Sequence, residues 1–330
     1  MATEQASVPA QKIKLKPSSP RRSARTTSPI PEKPPQRGAE NITEESTFDE
    51  AFNLGWELHF QFRSKAKMEE ERYKNHLQPI IGNKRINEIT PLLVERIKIQ
   101  LLKSNKAPST VVLILKTIRE TYNLLIRWQL FNYNPAQKLN VQQRDNKRHR
   151  FLEREEAESL LIELKEHSLQ TWQIALLSLS TGTRAGEVLS LTGNRVDLHN
   201  KSIRIVDSKT EKNRTVYLPK VAEQMLRDME LKKNLPLFMD KNGLAIKRVS
   251  RTFPRVVEML GLNDGVTDPR EKVVFHTLRH TFASWLVQND VSLHVVGELL
   301  GHSTLEMTRR YSHLTPKIKS AAVGTIDSYL

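Results

Sequence analysis

Residues 275–286 read FHTLRHTFASWL, and this stretch lies in a predicted helix over residues 276–289. His276 and His280 are four positions apart, so a helix places both imidazoles on one face. Two histidines at this spacing can bind a metal ion, but no carboxylate or cysteine nearby in the sequence completes such a site. Taken alone, the pair is better explained by helix capping or by hydrogen bonds inside the core.

A second polar stretch, GHSTLEMTRRYSHL, occupies residues 301–314, where helices are predicted at 292–300 and 304–313. It contains His302 near its start and Tyr311 nine residues later. The phenol of tyrosine has a pKa of about 10, which makes it a poor nucleophile at neutral pH unless its surroundings activate it. Alone, Tyr311 is most simply a half-buried amphipathic side chain.

Two segments earlier in the chain carry further cationic side chains. Arg184 lies in STGTRAGEVLSL, just after a predicted buried helix that ends at Gly182, because glycine is typical of helix C-caps. An ordinary explanation for Arg184 is an ion pair with Glu187, three residues on. Lys209 lies in DSKTEKNRTVYLP, in a polar turn between two predicted strands, and alone it is an ordinary hairpin lysine.

Taken together and in this order, the segments TGTRAGE, HTLRHTFAS and LLGHSTLEMTRRYSH resemble the tyrosine recombinases, the lambda-integrase family of phage integrases and site-specific recombinases. The resemblance covers about 148–315 and extends loosely over 44–143, which resembles the helical core-binding domain of that family. It implies six catalytic residues, and each position holds the expected residue type: Arg184, Lys209, His276, Arg279, His302 and Tyr311. His280 and Glu187 are expected as supporting residues that orient the site.

The chemistry of DNA strand cleavage explains why these residue types belong together. Attack on a phosphodiester passes through a pentacoordinate phosphorane whose non-bridging oxygens gather negative charge. Arg184 and Arg279 can stabilise those oxygens with paired hydrogen bonds. Tyr311 is the expected nucleophile, and nearby cations favour its phenolate.

The remaining residues are expected to move protons. His276 is the candidate base, His302 a hydrogen-bond donor to the phosphate, and Lys209 the general acid for the leaving 5′ hydroxyl. Because arginines supply the positive charge that Mg²⁺ supplies in most nucleases, no metal is expected. A 3′-phosphotyrosyl bond conserves the energy of the broken phosphodiester, so neither ATP nor another cofactor is expected. Such covalent catalysis suits strand exchange better than degradation.

The composition divides the chain into three parts. Residues 1–43 hold 7 of the 16 prolines and are expected to be a disordered basic tail, either a DNA tether or a mere linker. Residues 44–143 predict a helical, DNA-binding core-binding domain of four or five helices. Residues 144–330 predict a catalytic domain with a C-terminal tail. The expected fold class is α+β, mainly α with a small antiparallel β-sheet.

The bulk composition favours a polyanionic partner. The chain has 52 Lys and Arg against 37 Asp and Glu, a formal charge of +15, which suits nucleic acid, although many basic proteins bind none. The cysteine count of 0 excludes disulfides, thiolate catalysis and Cys-based zinc sites. No apolar run approaches the roughly 18–20 residues that span a bilayer, so we expect a cytoplasmic protein with no membrane partner.

These observations predict a DNA strand-exchange enzyme, most simply the integrase of a prophage or other mobile element, acting on a specific double-stranded site. Alternatives with the same site are a chromosome-dimer resolvase, an inversion recombinase and a nicking-closing topoisomerase. Alternatives from other classes are a non-cleaving DNA-binding regulator and a metal-dependent nuclease. The resemblance further implies a homotetramer at synapsis, with C-terminal tails packed on neighbouring protomers, and DNA-bending accessory proteins as candidate partners.

Overall fold

A computed structural model describes residues 42–142, 148, 150–206 and 213–314. The chain divides into two compact units, residues 1–144 and 145–330. Lys209 and its turn, nearly all of the predicted basic tail and the predicted C-terminal tail lie outside the described residues. In the described part of the chain, no helix has the length and apolar character needed to cross a bilayer.

The first unit is a bundle of helices whose apolar faces share one core. Its α-helices are α1 (Phe48–Leu58), α2 (Ala66–Arg72), α3 (Gln78–Ile81), α4 (Pro91–Lys103) and α5 (Pro108–Arg127). The shorter segments are a π-helical turn at Tyr73–Leu77 and 3₁₀ turns at Phe60–Phe62 and Ile86–Glu88. The predicted apolar stripe of α5 is confirmed, because its members are at most 1% exposed: Val111, Ile114, Leu115, Ile118, Tyr122 and Leu125.

Local sequence signals set the start of two helices in this unit. The hydroxyl of Thr47 accepts a hydrogen bond from the N–H of Glu50 at 3.3 Å, and the Glu50 carboxylate accepts one from the N–H of Thr47 at 2.7 Å. This is the predicted capping box of α1. Helix α4 begins with Pro91 in its first turn, as predicted, and Thr90 caps it.

The helix predicted over residues 68–80 is present as an unbroken helical run over residues 66–81, which takes π-helical geometry at Tyr73–Leu77. Pro79 has no N–H, and its ring crowds the carbonyl four residues earlier. The π-helical turn at Tyr73–Leu77 widens the helix just before this proline and relieves that crowding. Tyr73 in this turn is buried, and its hydroxyl donates a hydrogen bond to Asp49 on α1.

The second unit combines helices with one small sheet. Its α-helices are α6 (Arg154–His167), α7 (Leu169–Thr181), α8 (Ala185–Leu189), α9 (Lys220–Arg227), α10 (Thr252–Met259), α11 (Phe275–Gln288) and α12 (Leu293–Leu300). Its strands are β1 (Val196–Asp197), β2 (Ser202–Val206) and β3 (Asn213–Tyr217). Its 3₁₀ turns are Gly193–Arg195, Leu305–Met307 and Arg309–Leu314. The predicted fold class, mainly α with a small antiparallel sheet, is confirmed.

The three strands form an antiparallel sheet in the order β1-β2-β3. Ile203 on β2 pairs with Val216 on β3, and both side chains are buried. The sequence predicts only β2 and β3, because β1 is two residues long and too short for an alternating pattern to show. Since alternate residues of a strand share a face, Arg214 lies on the same face as Val216.

The helix predicted over residues 304–313 is instead a pair of 3₁₀ turns separated by Thr308. Gly301 ends α12 in the left-handed conformation, with φ of +66°. A 3₁₀ turn has three residues per turn, so residues three apart lie on the same side. Thr308 and Tyr311 have this spacing, and both are buried.

Helix α11 is packed on several sides within the second unit. It contacts α7, α12 and the 3₁₀ turn that carries Tyr311. Its residue Leu278 belongs to one apolar cluster, and Ala283 belongs to another that includes Tyr311. A helix covered on several sides buries polar residues as well, and Arg279 and His280 are at most 4% exposed. These buried polar side chains form the centre of the candidate site.

Candidate active site

Arg279 is a buried cation with 3% of its surface exposed. Its guanidinium donates hydrogen bonds to the carbonyl oxygens of Gly182 at 2.7 Å and Leu300 at 2.8 Å. These carbonyls lie at the C-terminal ends of α7 and α12, where helix dipoles carry partial negative charge. Burial lowers the pKa of Arg279 to about 9, so the guanidinium keeps its charge at neutral pH.

Glu187 binds two arginines at once. Its carboxylate accepts hydrogen bonds from the guanidinium of Arg184 at 2.9 Å and from the backbone N–H of Arg184 at 2.7 Å. It also accepts a bidentate pair from Arg214 at 2.9 and 2.8 Å. Burial alone would raise the pKa of Glu187, but the hydrogen bonds from Arg214 and Arg184 outweigh burial and lower that pKa to about 2. The ion pair does not enclose Arg184, whose side chain is 38% exposed.

Arg214 is a residue of the site that the sequence reasoning missed. Its side chain is 15% exposed and packs against Gly301, where an added Cβ atom would lie 2.8 Å from Cδ of Arg214. The sequence does contain a signal that could have revealed Arg214, because this residue lies two positions before Val216, on the inward face of β3. An inward-facing arginine needs a carboxylate partner, and Glu187 supplies it.

Tyr311 is 5% exposed and packs against α11. Its hydroxyl oxygen and Nδ1 of His280 are 2.7 Å apart, which is a hydrogen bond between two buried groups. Burial raises the pKa of Tyr311 to about 12, while the positive charges of Arg310 and Arg279 act in the opposite direction. The phenol is therefore protonated at neutral pH, and it can act as a nucleophile only if another group takes its proton.

His276 and His280 lie one turn apart on α11, and their rings meet edge to face with centroids 4.8 Å apart. Burial lowers the pKa of His276 to about 4 and that of His280 to about 3, and neighbouring positive charges add to both effects. Both imidazoles are therefore neutral at pH 7. The hydrogen-bond partner of the Tyr311 hydroxyl is His280 and not His276, the residue expected as the base.

His302 directly follows the turn at Gly301. Its Nδ1 is 2.7 Å from the hydroxyl oxygen of Thr308, a fully buried residue that the sequence reasoning also missed. Burial and the charges of Arg279 and Arg184 lower the pKa of His302 to about 4. When Thr308 donates to Nδ1, the imidazole hydrogen is on Nε2, from which His302 can donate to an anion.

Helix packing and hydrogen bonds bring the predicted residues into one site. Helix α11 carries His276, Arg279 and His280. Arg279 binds the carbonyls of Gly182 and Leu300, which precede Arg184 and His302 by two residues each, and Tyr311 binds His280. Among the residues expected to be catalytic, those that the structure describes thus lie in one cluster of the second unit. The supporting residues His280 and Glu187 belong to the same cluster. Lys209 lies outside the described residues.

The cluster carries an excess of positive charge. The guanidiniums of Arg184 and Arg214 share the carboxylate of Glu187, and Arg279 adds a third positive charge that is bound to backbone carbonyls. The imidazoles nearby are neutral. Guanidinium groups match the geometry of anions with several oxygens, of which phosphate is the most common in biology. With a phenol beside them, the residues are suited to attack on a phosphate ester.

Comparison with known proteins gives a consistent set of relatives. The model of the phage integrase family matches residues 150–317. The chain is 29% identical over 262 residues to the tyrosine recombinase XerC of Thermodesulfovibrio yellowstonii, covering 74% of this chain and 85% of that protein. It is 31% identical over 212 residues to the integrase of Salmonella phage P22, covering 61% of this chain and 52% of that protein.

Solved structures share the fold. The Tn1549 transposon integrase, in complex with a circular intermediate DNA, superposes with a TM-score of 0.70 at 17% identity, covering 85% of this chain and 99% of that one. A lambda integrase dimer bound to a COC′ core site gives a TM-score of 0.66 at 16% identity, covering 79% and 97%. Since the family model matches just over half of the chain, at residues 150–317, the chain belongs to the phage integrase family and is a tyrosine recombinase, an enzyme that acts on DNA strands.

Proposed function

We propose that this recombinase cleaves one DNA strand with Tyr311, keeps the 3′ end as a phosphotyrosyl ester and rejoins it to a new 5′ hydroxyl. The observation that supports this most strongly is that a buried phenol packs on and hydrogen-bonds to α11, the helix that carries the buried Arg279. A protein that only binds DNA needs cations but has no need of a buried phenol next to them. A strand-transfer enzyme needs both the nucleophile and the cations.

The two arginines stabilise the charge that builds on the non-bridging oxygens. Arg279 donates to two backbone carbonyls, and these hydrogen bonds hold the plane of its guanidinium before DNA binds. Arg184 is held by Glu187 but keeps an exposed surface that can meet the phosphate. Loss of either arginine is expected to slow cleavage by a factor on the order of 10²–10³, as for the loss of one oxyanion donor.

The remaining roles are proton transfers and hydrogen bonds. His302 donates to the phosphate through Nε2, because Thr308 occupies its Nδ1. Lys209 is proposed as the general acid for the leaving 5′ oxygen, on the sequence resemblance alone. His276, the base expected from the sequence, belongs to the same cluster beside His280.

Double-stranded DNA carrying a specific site is the proposed substrate. Integrases of the same fold have been solved in complex with DNA, and the formal charge of +15 on this chain suits a polyanion. We assign DNA binding to the first unit and chemistry to the second. A homotetramer at synapsis, DNA-bending accessory proteins and action in the cytoplasm complete the proposal.

The proposed biological role is integration and excision of a prophage or other mobile element. Resolution of chromosome dimers is the second candidate role, and it is supported by the extent of the alignments with relatives. The alignment with XerC spans 85% of that protein, whereas the alignment with the P22 integrase spans 52% of that integrase. The location of the cleaved site separates the two roles, because an element integrase acts on DNA that flanks its own gene.

Covalent capture tests the proposed chemistry. The protein is mixed, in EDTA, with nicked duplexes drawn from the DNA that flanks its gene and from candidate chromosomal sites. The nick lets a short fragment diffuse away after cleavage, so the covalent adduct accumulates. We expect a denaturation-resistant adduct that mass spectrometry maps to Tyr311, that is lost in Tyr311→Phe and that is kept in Tyr217→Phe, since Tyr217 is 68% exposed.

Other outcomes point to the alternatives. Tight, salt-sensitive DNA binding without any adduct would favour the non-cleaving regulator. Cleavage that needs added Mg²⁺ and persists in Tyr311→Phe would favour the metal-dependent nuclease. An adduct on another residue would show that the nucleophile has been misassigned.

A further inference from the structure

The hydroxyl of Tyr311 forms its hydrogen bond with His280, across 2.7 Å to Nδ1. In the described part of the chain, no comparable contact joins Tyr311 to His276, whose ring meets that of His280 edge to face with centroids 4.8 Å apart. Tyr311 and His280 are 5% and 4% exposed. Bulk water therefore has little access to this hydrogen bond, and His280 is the group best placed to exchange a proton with the phenol.

We propose that His280 is a further catalytic residue, whose Nδ1 accepts the phenol proton while Tyr311 attacks the phosphorus. The O–H bond of Tyr311 breaks and an N–H bond forms on His280. At the same time the bond from the phenol oxygen to phosphorus forms, and the bond from phosphorus to the 5′ oxygen breaks. The leaving 5′ oxygen takes its proton from a general acid, the role proposed for Lys209. This role of His280 rests on the proposed function, because it requires Tyr311 to be the nucleophile.

The surroundings of His280 suit a base that acts only when substrate is present. Burial lowers the pKa of His280 to about 3, and the neighbouring His276 and the positive charges of Arg310, Arg279 and Arg148 add to the effect. The imidazole is thus neutral at pH 7, and with its hydrogen on Nε2 the lone pair of Nδ1 is free to accept. An imidazolium among these cations is unfavourable until a negative phosphate enters. Proton transfer is therefore coupled to phosphate binding.

The same argument explains why the step is reversible. In rejoining, a 5′ hydroxyl attacks the phosphotyrosyl phosphorus and gives its proton to the group that acted as the acid of cleavage. The bond from phosphorus to the phenol oxygen breaks, and in the same step the imidazolium of His280 returns its proton to that oxygen. The positive charge around the imidazolium favours this return. The base of cleavage is thus the acid of rejoining, as microscopic reversibility requires.

A conservative variant separates proton transfer from positioning. In His280→Asn, the side-chain amide can still hydrogen-bond near the position of Nδ1, but it cannot take up a proton. We expect single-turnover adduct formation on a nicked duplex to slow by about 10²–10⁴, the usual contribution of a general base. The matched control is His294→Ala, a histidine on α12 with a 78% exposed side chain, which is expected to react at the wild-type rate.

A second measurement uses a more acidic nucleophile. Fluorinated tyrosine is incorporated at position 311, in wild-type protein and in His280→Asn. Because a more acidic phenol depends less on a base, fluorination is expected to accelerate the variant more than the wild type. Circular dichroism and DNA binding show that the variants are folded.

Each contrary outcome has a defined meaning. If His280→Asn reacts at the wild-type rate, His280 only holds the phenol; if it reacts faster, the contact restrains Tyr311. Equal acceleration by fluorination in both proteins would also overturn the proposed role. Absence of a Tyr311 adduct in the wild type would instead contradict the proposed function itself.

Discussion

Tyr311 and His280 are uncharged partners among several arginines, and burial is why both are uncharged. Burial disfavours ionised groups, so it raises the pKa of the phenol to about 12 and lowers that of the imidazole to about 3. Arg279 stays charged in the same surroundings because the ordinary pKa of a guanidinium is 12.5, so that even the lowered value of about 9 lies above neutral pH. Two helix-end carbonyls also accept its hydrogen bonds. The resting site thus combines fixed positive charge with a neutral phenol.

The low pKa of His280 predicts a specific dependence of stability on pH. The unfolded histidine takes up a proton near its ordinary pKa of 6.5, whereas the folded one does so only near 3. The free energy of unfolding is therefore unaffected above pH 6.5 and falls as the pH drops below it, by about 1.4 kcal/mol per pH unit for this one group. The variant His280→Asn lacks this contribution.

Urea denaturation of the full chain at pH 7.0, 5.5 and 4.5 measures the difference. All other titrating groups are shared, so the wild type is expected to lose more stability than His280→Asn between pH 5.5 and 4.5, by about 1.4 kcal/mol. Parallel pH profiles for the two proteins would show that His280 titrates normally in the folded state.

At the scale of elements, the predictable features are those set by contacts a few residues apart. The capping box of Thr47 and Glu50 and the C-cap at Gly182 are such features, and both are present. The two 3₁₀ turns over residues 305–314 could not be predicted in this way, because a sequence of ten residues rarely distinguishes three residues per turn from 3.6. Packing of Thr308 and Tyr311 against α11 and α12 selects the tighter turn.

Gly182 is expected to tolerate no side chain. Its φ is +66°, and an added Cβ would lie 2.5 Å from Phe282 and 2.8 Å from Leu300. Gly243 is a matched control, with φ of +74° but no atom within 4 Å of an added Cβ. We expect Gly243→Ala to cost about 1–2 kcal/mol of stability, the left-handed penalty alone, and Gly182→Ala to cost about 3 kcal/mol or more, because overpacking adds to it.

Chemical denaturation of the two glycine variants measures these costs. Since the carbonyl of Gly182 accepts a hydrogen bond from Arg279, Gly182→Ala is also expected to slow adduct formation. Equal losses of stability in the two variants would mean that the neighbours of Gly182 move aside readily.

The strand β3 contributes to the site through Arg214. Removal of this guanidinium leaves the buried carboxylate of Glu187 with Arg184 alone, so we expect Arg214→Met to cost about 3 kcal/mol, the lower end for a broken buried pair. The adduct should also form more slowly, because Arg184 is less well held. Arg204→Met on the exposed face of β2 is the control, with an expected change within about 0.5 kcal/mol. Equal stability of both variants would contradict the positioning role of Arg214.

At the scale of the whole chain, four separated segments of the described residues supply the site. The resemblance of three of them to a family predicts which residues matter without showing how they meet. The hydrogen bond between His280 and Tyr311 joins residues 31 positions apart, and that between Glu187 and Arg214 joins residues 27 apart. Local propensity acts over a few residues, so such pairs depend on how the helices pack. This is why the sequence reasoning found neither Arg214 nor the contact between His280 and Tyr311.

The described site contains the proposed nucleophile and arginines from one chain, which predicts that each protomer cleaves with its own tyrosine. Tyr311 packs on Ala283 and Val287 of its own α11 and hydrogen-bonds to its own His280. Mixing Tyr311→Phe protein with Arg184→Gln protein is therefore not expected to restore adduct formation on a nicked duplex. A size tag on one of the two variants shows which chain carries any adduct. Wild-type protein, run in parallel, is the only sample expected to give the adduct. An adduct on the Arg184→Gln chain in the mixture would mean that one protomer donates its tyrosine to the arginines of another, and that the packing of Tyr311 against its own α11 opens on assembly.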